Sequence, residues 1–119
     1  MKSEDQAQID LFRYLAYRSG KYPEMNLIFH VPNGGKRTAA EGRIFKAMGV
    51  KAGVPDLFLP VARGKYHGLF IELKVGKNKP TVSQLGWQMN LQAQGYVSEV
   101  CYGWEQAAEL IEAYLNLKE

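Results

Sequence analysis

Leu69-Phe-Ile-Glu-Leu-Lys-Val75 is the stretch that decides the fold, because its residues form a β-like run. Side chains two residues apart on a strand point to the same face, so Glu72 and Lys74 are expected to project together. The other face carries the apolar side chains that enter a core: Ile71, Leu73 and Val75. The turn Gly53-Val-Pro-Asp56 lies upstream and ends in a third charged group. A carboxylate and an ammonium group beside a further acid indicate a metal-dependent hydrolytic site.

Regular structure is predicted on both sides of this strand from apolar periodicity, caps and turn residues. Helices are expected at residues 3–19, 38–48, 81–94 and 104–117, and strands at 27–31, 57–61, 69–75 and 97–102. The resulting order, α-β-α-β-β-α-β-α, predicts an α/β fold with a small mixed β-sheet flanked by helices. Its parallel part comes from the strand–helix–strand unit over residues 69–102, whose crossover should be right-handed.

The two terminal helices carry clear local signals. Ser3 and Gln6 form an S-x-x-Q capping box, and Glu4 and Asp5 favour the positive end of the first helix. The apolar stripe of that helix is predicted to consist of Ile9, Phe12 and Ala16, widened by Leu11 and Leu15. The buried side of the closing helix is predicted to consist of Ala107, Ala108, Ile111, Tyr114 and Leu115.

Length and composition favour one compact domain, assigned to residues 1–119. Hydrophobic residues make up 46% of the chain and charged residues 23%, which argues against disorder. No apolar run approaches the ~20 residues that span a bilayer, so no membrane association is expected. Cys101 is the one cysteine and cannot form an intrachain disulfide, which makes a reducing, cytoplasmic setting the simplest interpretation.

Charge is distributed unevenly along the chain, although the net charge is only +3. Residues 36–79 carry ten basic groups and three acids, a net charge of +7, whereas residues 80–119 carry a net charge of −4. Two of the three acids in the basic zone are Asp56 and Glu72. A positive zone around a small acidic centre suits a polyanion that is held by its phosphates and cut at a metal. The alternative is an ordinary solvated surface.

Phosphodiester hydrolysis requires a deprotonated water, a neutralised phosphate and a stabilised leaving oxygen, which one or two Mg²⁺ ions can supply. Asp56 and Glu72 are the candidate ligands, and the backbone carbonyl of Leu73 between the two charged positions is a plausible third. Lys74 is placed to orient or help deprotonate the attacking water, or to stabilise charge in the transition state.

This arrangement resembles the PD-(D/E)xK nuclease superfamily, whose two signatures match Pro55-Asp56 and Glu72-Leu73-Lys74. Gly53-Val-Pro-Asp56, Ile71-Glu-Leu-Lys74, Ser83-Gln84 and the upstream His30-Val-Pro-Asn-Gly-Gly35 look like the VRR-NUC domain, the virus-type replication-repair nuclease family. The resemblance covers nearly the whole chain. It implies a restriction-endonuclease-like core and DNA cleavage that depends on Mg²⁺ or Mn²⁺. For stand-alone phage or bacterial members it implies homodimers that act on four-way (Holliday) junctions.

The resemblance also implies roles for further residues. Glu4 matches an acid of the family's first helix near the metal centre, although it is equally explained as a helix-dipole acid. Gln84 matches the family glutamine close to the lysine, and its alternative role is the N-terminal capping box Thr81-x-x-Gln84. Gln88, on the same helix face, is expected to be solvated or to face DNA. Candidate DNA contacts are Asn33, Gly34, Gly35, Lys36, Arg37, Arg43, Lys77 and Lys79.

Three functions remain open at this stage. The first is a structure-selective endodeoxyribonuclease for four-way junctions, and the second is a nuclease for flaps, nicked duplexes or specific sites. The third is a non-catalytic DNA-binding module on a nuclease-like fold, since a fold alone does not establish chemistry. His30 is expected to be a hydrogen-bonded structural histidine rather than a general base.

Overall fold

The computed structural model describes residues 3–32 and 38–118. The helices are α1 (Glu4–Arg18), α2 (Ala39–Ala47), α3 (Val82–Ala93) and α4 (Trp104–Leu115), and a short 3₁₀ helix covers Pro23–Leu27. The strands are β1 (Phe29–His30), β2 (Leu57–Leu59), β3 (Leu69–Lys74) and β4 (Val97–Tyr102). Apart from the 3₁₀ turn, this is the element order that the sequence predicts.

The four strands form one mixed sheet in the order β1-β2-β3-β4. β2 pairs with both β1 and β3 in antiparallel fashion, whereas β3 and β4 are parallel and connected through α3. The parallel pair confirms the strand–helix–strand unit that the sequence predicts.

Local capping signals fix where the helices begin. Thr38 and Thr81 each accept a hydrogen bond from the backbone of the third helical residue, Glu41 and Gln84, and each forms a complete capping box. At α1 the predicted capping box is only half formed. The side chain of Ser3 accepts from the Gln6 backbone N–H, but the Gln6 side chain donates to Asp10 instead.

The core lies between one face of the sheet and the helices α1 and α4. α4 buries the five residues that the sequence predicts, from Ala107 to Leu115. The stripe predicted for α1 is confirmed at Leu11 and Leu15, which are buried, and at Phe12, which packs against the core. It is wrong at Ile9, which is 48% exposed, and at Ala16, which is also exposed, because the buried line continues through Ala7 instead. The position of α4 and the sheet selects which residues of the helix are covered.

Two predicted strands are shorter than expected. Leu27 belongs to the 3₁₀ helix that starts at Pro23, so the first strand is confined to Phe29–His30. The second strand ends at Leu59, because Pro60 has no N–H to continue the ladder. No helix in the described parts of the chain has both the length and the apolar character needed to cross a bilayer.

Glu112 links α4 to α1 and gives a testable stability prediction. Its carboxylate accepts from Tyr14 at 2.6 Å and from Arg18 at 3.0 Å, and these two hydrogen bonds lower the pKa of Glu112. Glu112→Gln is therefore expected to reduce the free energy of unfolding by about 1 kcal/mol at neutral pH. Because the pKa of Glu112 is lower in the folded state, its stabilising effect is complete above the unfolded-state pKa. The effect is lost as the pH falls through the folded-state pKa.

The measurement is urea unfolding of the wild type and Glu112→Gln at pH 7 and at successively lower pH. The two stability curves should converge on the acidic side. A difference that stays constant or grows as the pH falls would contradict the assignment. Glu109→Gln is a suitable control, because Glu109 lies on the same helix and is exposed.

Candidate active site

Strand pairing brings the two predicted acids together. Asp56 directly precedes β2, and the next residue, Leu57, pairs with Ile71 of β3, so Asp56 lies beside Glu72 on the neighbouring strand. The carboxylate of Asp56 is held in place by the backbone N–H of Leu73, which donates to Oδ2 at 2.8 Å. This hydrogen bond crosses from β3 to the turn before β2, and no local sequence pattern predicts it.

The carboxylate of Glu72 is buried, with 3% of the residue exposed. Its Oε2 atom accepts from Nε2 of Gln84 at 3.1 Å and lies 3.8 Å from Nζ of Lys74. Its Oε1 atom is also buried and has no hydrogen-bond partner within the described part of the chain. A buried carboxylate oxygen without a partner is costly, so this atom is a natural place for a cation to bind.

The electrostatics of Glu72 reflect this surplus of negative charge. Burial raises the pKa of Glu72 most, and the nearby Asp56 carboxyl group raises it further, to about 8. The ammonium group of Lys74 acts in the opposite direction but does not compensate fully. The charge of Glu4, in the first turn of α1, also raises this pKa.

Gln84 makes both of the contacts that its two predicted roles require. Its Oε1 atom accepts from the backbone N–H of Thr81 at 2.9 Å and completes the cap of α3. Its Nε2 atom donates to Glu72 at the same time. One side chain therefore couples the start of α3 to the buried carboxylate.

The oxygen donors at this site fit a hard cation that retains part of its water shell. Within residues 3–32 and 38–118, no group of three or more His, Cys, Asp or Glu side chains is arranged to bind a metal. The site therefore offers the two carboxylates of Asp56 and Glu72, with the Leu73 carbonyl remaining a prediction. Mg²⁺ keeps several of its waters, so one or two protein carboxylates are enough to bind it.

Glu4 lies near the site without joining the acid pair. Its carboxylate accepts from Nδ2 of Asn78 at 3.0 Å, which ties the start of α1 to the loop after β3. Asn78 could not be selected from the sequence, because a single asparagine in a Lys-rich loop is ordinary turn composition.

The structure places only some of the predicted DNA contacts. Residues 33–37, which include Asn33, Gly34, Gly35, Lys36 and Arg37, lie outside the described residues. Arg43 is exposed on α2, and Lys77 and Lys79 are exposed in the loop that follows the site strand. The two loop lysines are therefore accessible to a phosphate backbone that approaches Lys74.

The predictions for two further polar residues, His30 and Gln88, can be compared with the structure. His30 Nδ1 lies 3.0 Å from the backbone carbonyl of Asp56, as expected of a structural histidine beside the site. Gln88, expected to be solvated or to face DNA, is half-buried, and its amide nitrogen is buried with no partner among the described residues. Gln84, one turn earlier on α3, contacts Glu72 of the sheet.

Substituting Gln84 separates its two roles. Gln84→Glu keeps an acceptor for the Thr81 N–H but cannot donate to Glu72 and adds a negative charge there. We expect a stability loss of about 1–3 kcal/mol, because buried Glu72 loses its hydrogen-bond donor, and an activity loss of about 10- to 100-fold, as is typical when a residue that orients a metal ligand is changed. Nuclease rates and thermal melts of the purified variant measure both quantities.

Thr81→Ala is the matched control, because it removes the cap hydroxyl and leaves the Gln84 side chain in place. It should lower stability by about 1 kcal/mol with little effect on the rate of cleavage. Equal losses of activity in the two variants would mean that Gln84 acts only through the cap.

Comparisons with known proteins agree with this geometry. A family model described as the VRR-NUC domain matches residues 3–105. A solved structure described as a VRR_NUC domain protein is 34% identical, and the match covers 100% of this chain and 94% of that chain with a TM-score of 0.84. The mixed sheet with flanking helices is thus the restriction-endonuclease-like arrangement consistent with that family. No curated protein matches the chain.

Proposed function

The chain belongs to the VRR-NUC domain family, whose nucleases are of the PD-(D/E)xK type, and we propose that it is a metal-dependent endodeoxyribonuclease that cuts branched DNA. Four-way junctions are the favoured substrate and a homodimer is the favoured active form. The observation that carries the proposal is the buried carboxylate of Glu72 beside Asp56 and Lys74, with one oxygen atom unpartnered among the described residues. A module that only binds DNA gains nothing from two adjacent acids in a basic chain.

Asp56 and Glu72, with the backbone carbonyl of Leu73, would hold Mg²⁺, and Mn²⁺ is expected to substitute. A bound Mg²⁺ supplies charge neutralisation at the phosphate and lowers the pKa of water. The chain itself keeps the acids in position, because Leu73 N–H holds Asp56 and the Gln84 amide holds Glu72. The Lys74 ammonium group would orient the attacking water or stabilise negative charge at the phosphate.

The charge distribution supports DNA as the polyanion. The acid pair belongs to the segment of residues 36–79, which carries a net charge of +7 in the sequence, and the exposed Lys77 and Lys79 follow directly on the site strand. Phosphate contacts of this kind position a duplex without reading its sequence. A four-way junction requires two symmetric cuts, so a two-fold dimer with two sites matches its symmetry.

The test is cleavage of a labelled panel in Mg²⁺ or Mn²⁺: four-way junction, flap, nicked duplex, plain duplex and single strand. Light scattering at micromolar concentrations reports the oligomeric state in parallel. Paired symmetric cuts in the junction by a dimer are the expected result. Cutting of flaps or ends by a monomer would overturn the preference for junctions but keep the nuclease activity. Tight binding without metal-dependent cutting would overturn the nuclease activity itself.

A further inference from the structure

Three phenylalanines form a row across the sheet. Phe29 of β1 pairs with Phe58 of β2, and Phe58 pairs with Phe70 of β3, so the three residues stand at one register position on adjacent strands. The rings of Phe29 and Phe58 meet edge-on with centroids 5.7 Å apart, and those of Phe58 and Phe70 stack at 4.2 Å. We call these three residues the phenylalanine row.

The phenylalanine row shares its sheet face with the acids. Phe58 comes two residues after Asp56, and Phe70 comes two residues before Glu72. Because side chains alternate along a strand, residues two apart lie on the same face, about 7 Å from each other. The acid pair and the row therefore lie next to each other on one face of the sheet. The opposite face carries the core under α1 and α4.

Gly68 and Tyr96 pack closely against the row. A Cβ atom at Gly68 would lie 2.9 Å from Cε1 of Phe58, so this ring occupies space that only glycine leaves free. Tyr96, just after α3, packs edge-on against Phe70 at 5.3 Å and against Phe58 at 6.1 Å. The row is thus a preformed surface rather than a set of independent side chains.

The row is also accessible. Phe29 is 48% exposed, and Phe58 and Phe70 are half-buried, whereas the core residues Leu57 and Ile71 beside them are 0% exposed. A contiguous aromatic surface of this kind on a sheet face generally marks a place where something binds. A second protein seated there would cover the acid pair, which lies one step away. The occupant that leaves the site usable is the substrate itself.

We propose that the phenylalanine row binds an unpaired nucleobase of the DNA strand whose phosphate lies at Asp56 and Glu72. Every base has an apolar π-face that stacks on aromatic rings without sequence preference. In an intact duplex those faces are covered by neighbouring base pairs, so the row discriminates for strands with an unpaired nucleotide beside the cut. The inference rests on the proposed function and specifies its substrate as DNA that is open at a branch, flap or gap.

The test measures stacking without cleavage. A short single-stranded oligonucleotide with one 2-aminopurine is titrated with the full chain in EDTA, and its fluorescence is expected to fall as the base stacks. Phe29→Ala and Phe29→Leu should each weaken single-strand binding by about 10-fold and reduce the quenching, with duplex binding unchanged. Phe29→Trp should retain both. Phe29→Leu keeps most of the apolar volume of the side chain, so weaker binding by this variant would report the missing aromatic ring rather than unfolding.

Tyr17→Ala is the matched control, because Tyr17 is 83% exposed on α1, outside the row. Equal affinity and equal quenching in wild type, Phe29→Ala and Phe29→Leu would overturn the proposal. The proposal would also be overturned if a Phe29 variant changed only the molecular mass measured by light scattering. The row would then be an interface between copies of this chain. Quenching by a chain that never cuts DNA would refute the proposed nuclease function but keep the base-binding site. Cutting without quenching would refute the base-binding site but keep the nuclease function.

Discussion

Asp56→Asn is expected to reduce metal-dependent DNA cleavage by at least about 1000-fold, because it removes one of the two carboxylates at the site. The amide oxygen of asparagine can still accept from the Leu73 N–H, which holds the Asp56 carboxylate at 2.8 Å in the wild type. The fold should therefore survive, with a melting temperature within a few degrees of the wild type. Single-turnover cleavage of a labelled four-way junction, alongside circular dichroism, measures both effects.

Lys74→Ala should produce a comparable loss, because Lys74 Nζ is the cation closest to Glu72 in the described structure, at 3.8 Å. DNA binding by both variants should be largely retained, since the exposed Lys77 and Lys79 are untouched. Glu99→Gln is the matched control, because Glu99 is an exposed acid on the neighbouring strand β4. Full activity in both Asp56→Asn and Lys74→Ala would show that the catalytic centre lies elsewhere.

Gly53→Ala is expected to have the largest effect on stability among single-methyl changes, about 3 kcal/mol or more. Gly53 has φ +91°, which costs a non-glycine residue about 1–2 kcal/mol. In addition, a Cβ atom there would lie 2.8 Å and 2.9 Å from the backbone C and O atoms of Ser83. These atoms belong to the first turn of α3 and can move only if the helix moves, which would also displace Gln84 from Glu72.

Gly49→Ala is the control for backbone strain alone. Gly49 has a similar φ of +98°, but a Cβ atom there would meet nothing within 4 Å. Its cost should therefore be the strain of about 1–2 kcal/mol without the contact with α3. Urea unfolding of the two variants measures the difference, and cleavage rates should fall only in Gly53→Ala. Equal destabilisation of the two would contradict the role of Gly53 in seating α3.

Local signals explain the part of the fold that the sequence predicted. The caps at Ser3, Thr38 and Thr81 act within four residues of the chain, and β4 and the buried face of α4 follow from spacing alone. Pro55-Asp56 and Glu72-Leu73-Lys74 are likewise short motifs that can be recognised without knowing how distant segments pack. The periodicity of α1, in contrast, predicted one broad apolar stripe but did not decide which of its residues the core would cover.

The amino-acid sequence by itself thus determined the element order, the mixed sheet and the acids that the strands would present. Only the tertiary structure decided that Ala7 rather than Ile9 enters the core, and that the Leu73 N–H fixes Asp56. It also decided that Gln84 caps α3 and contacts Glu72 together, and that three phenylalanines align beside the acids. The physical reason is that these contacts join segments far apart in the chain, so they depend on strand register and helix docking.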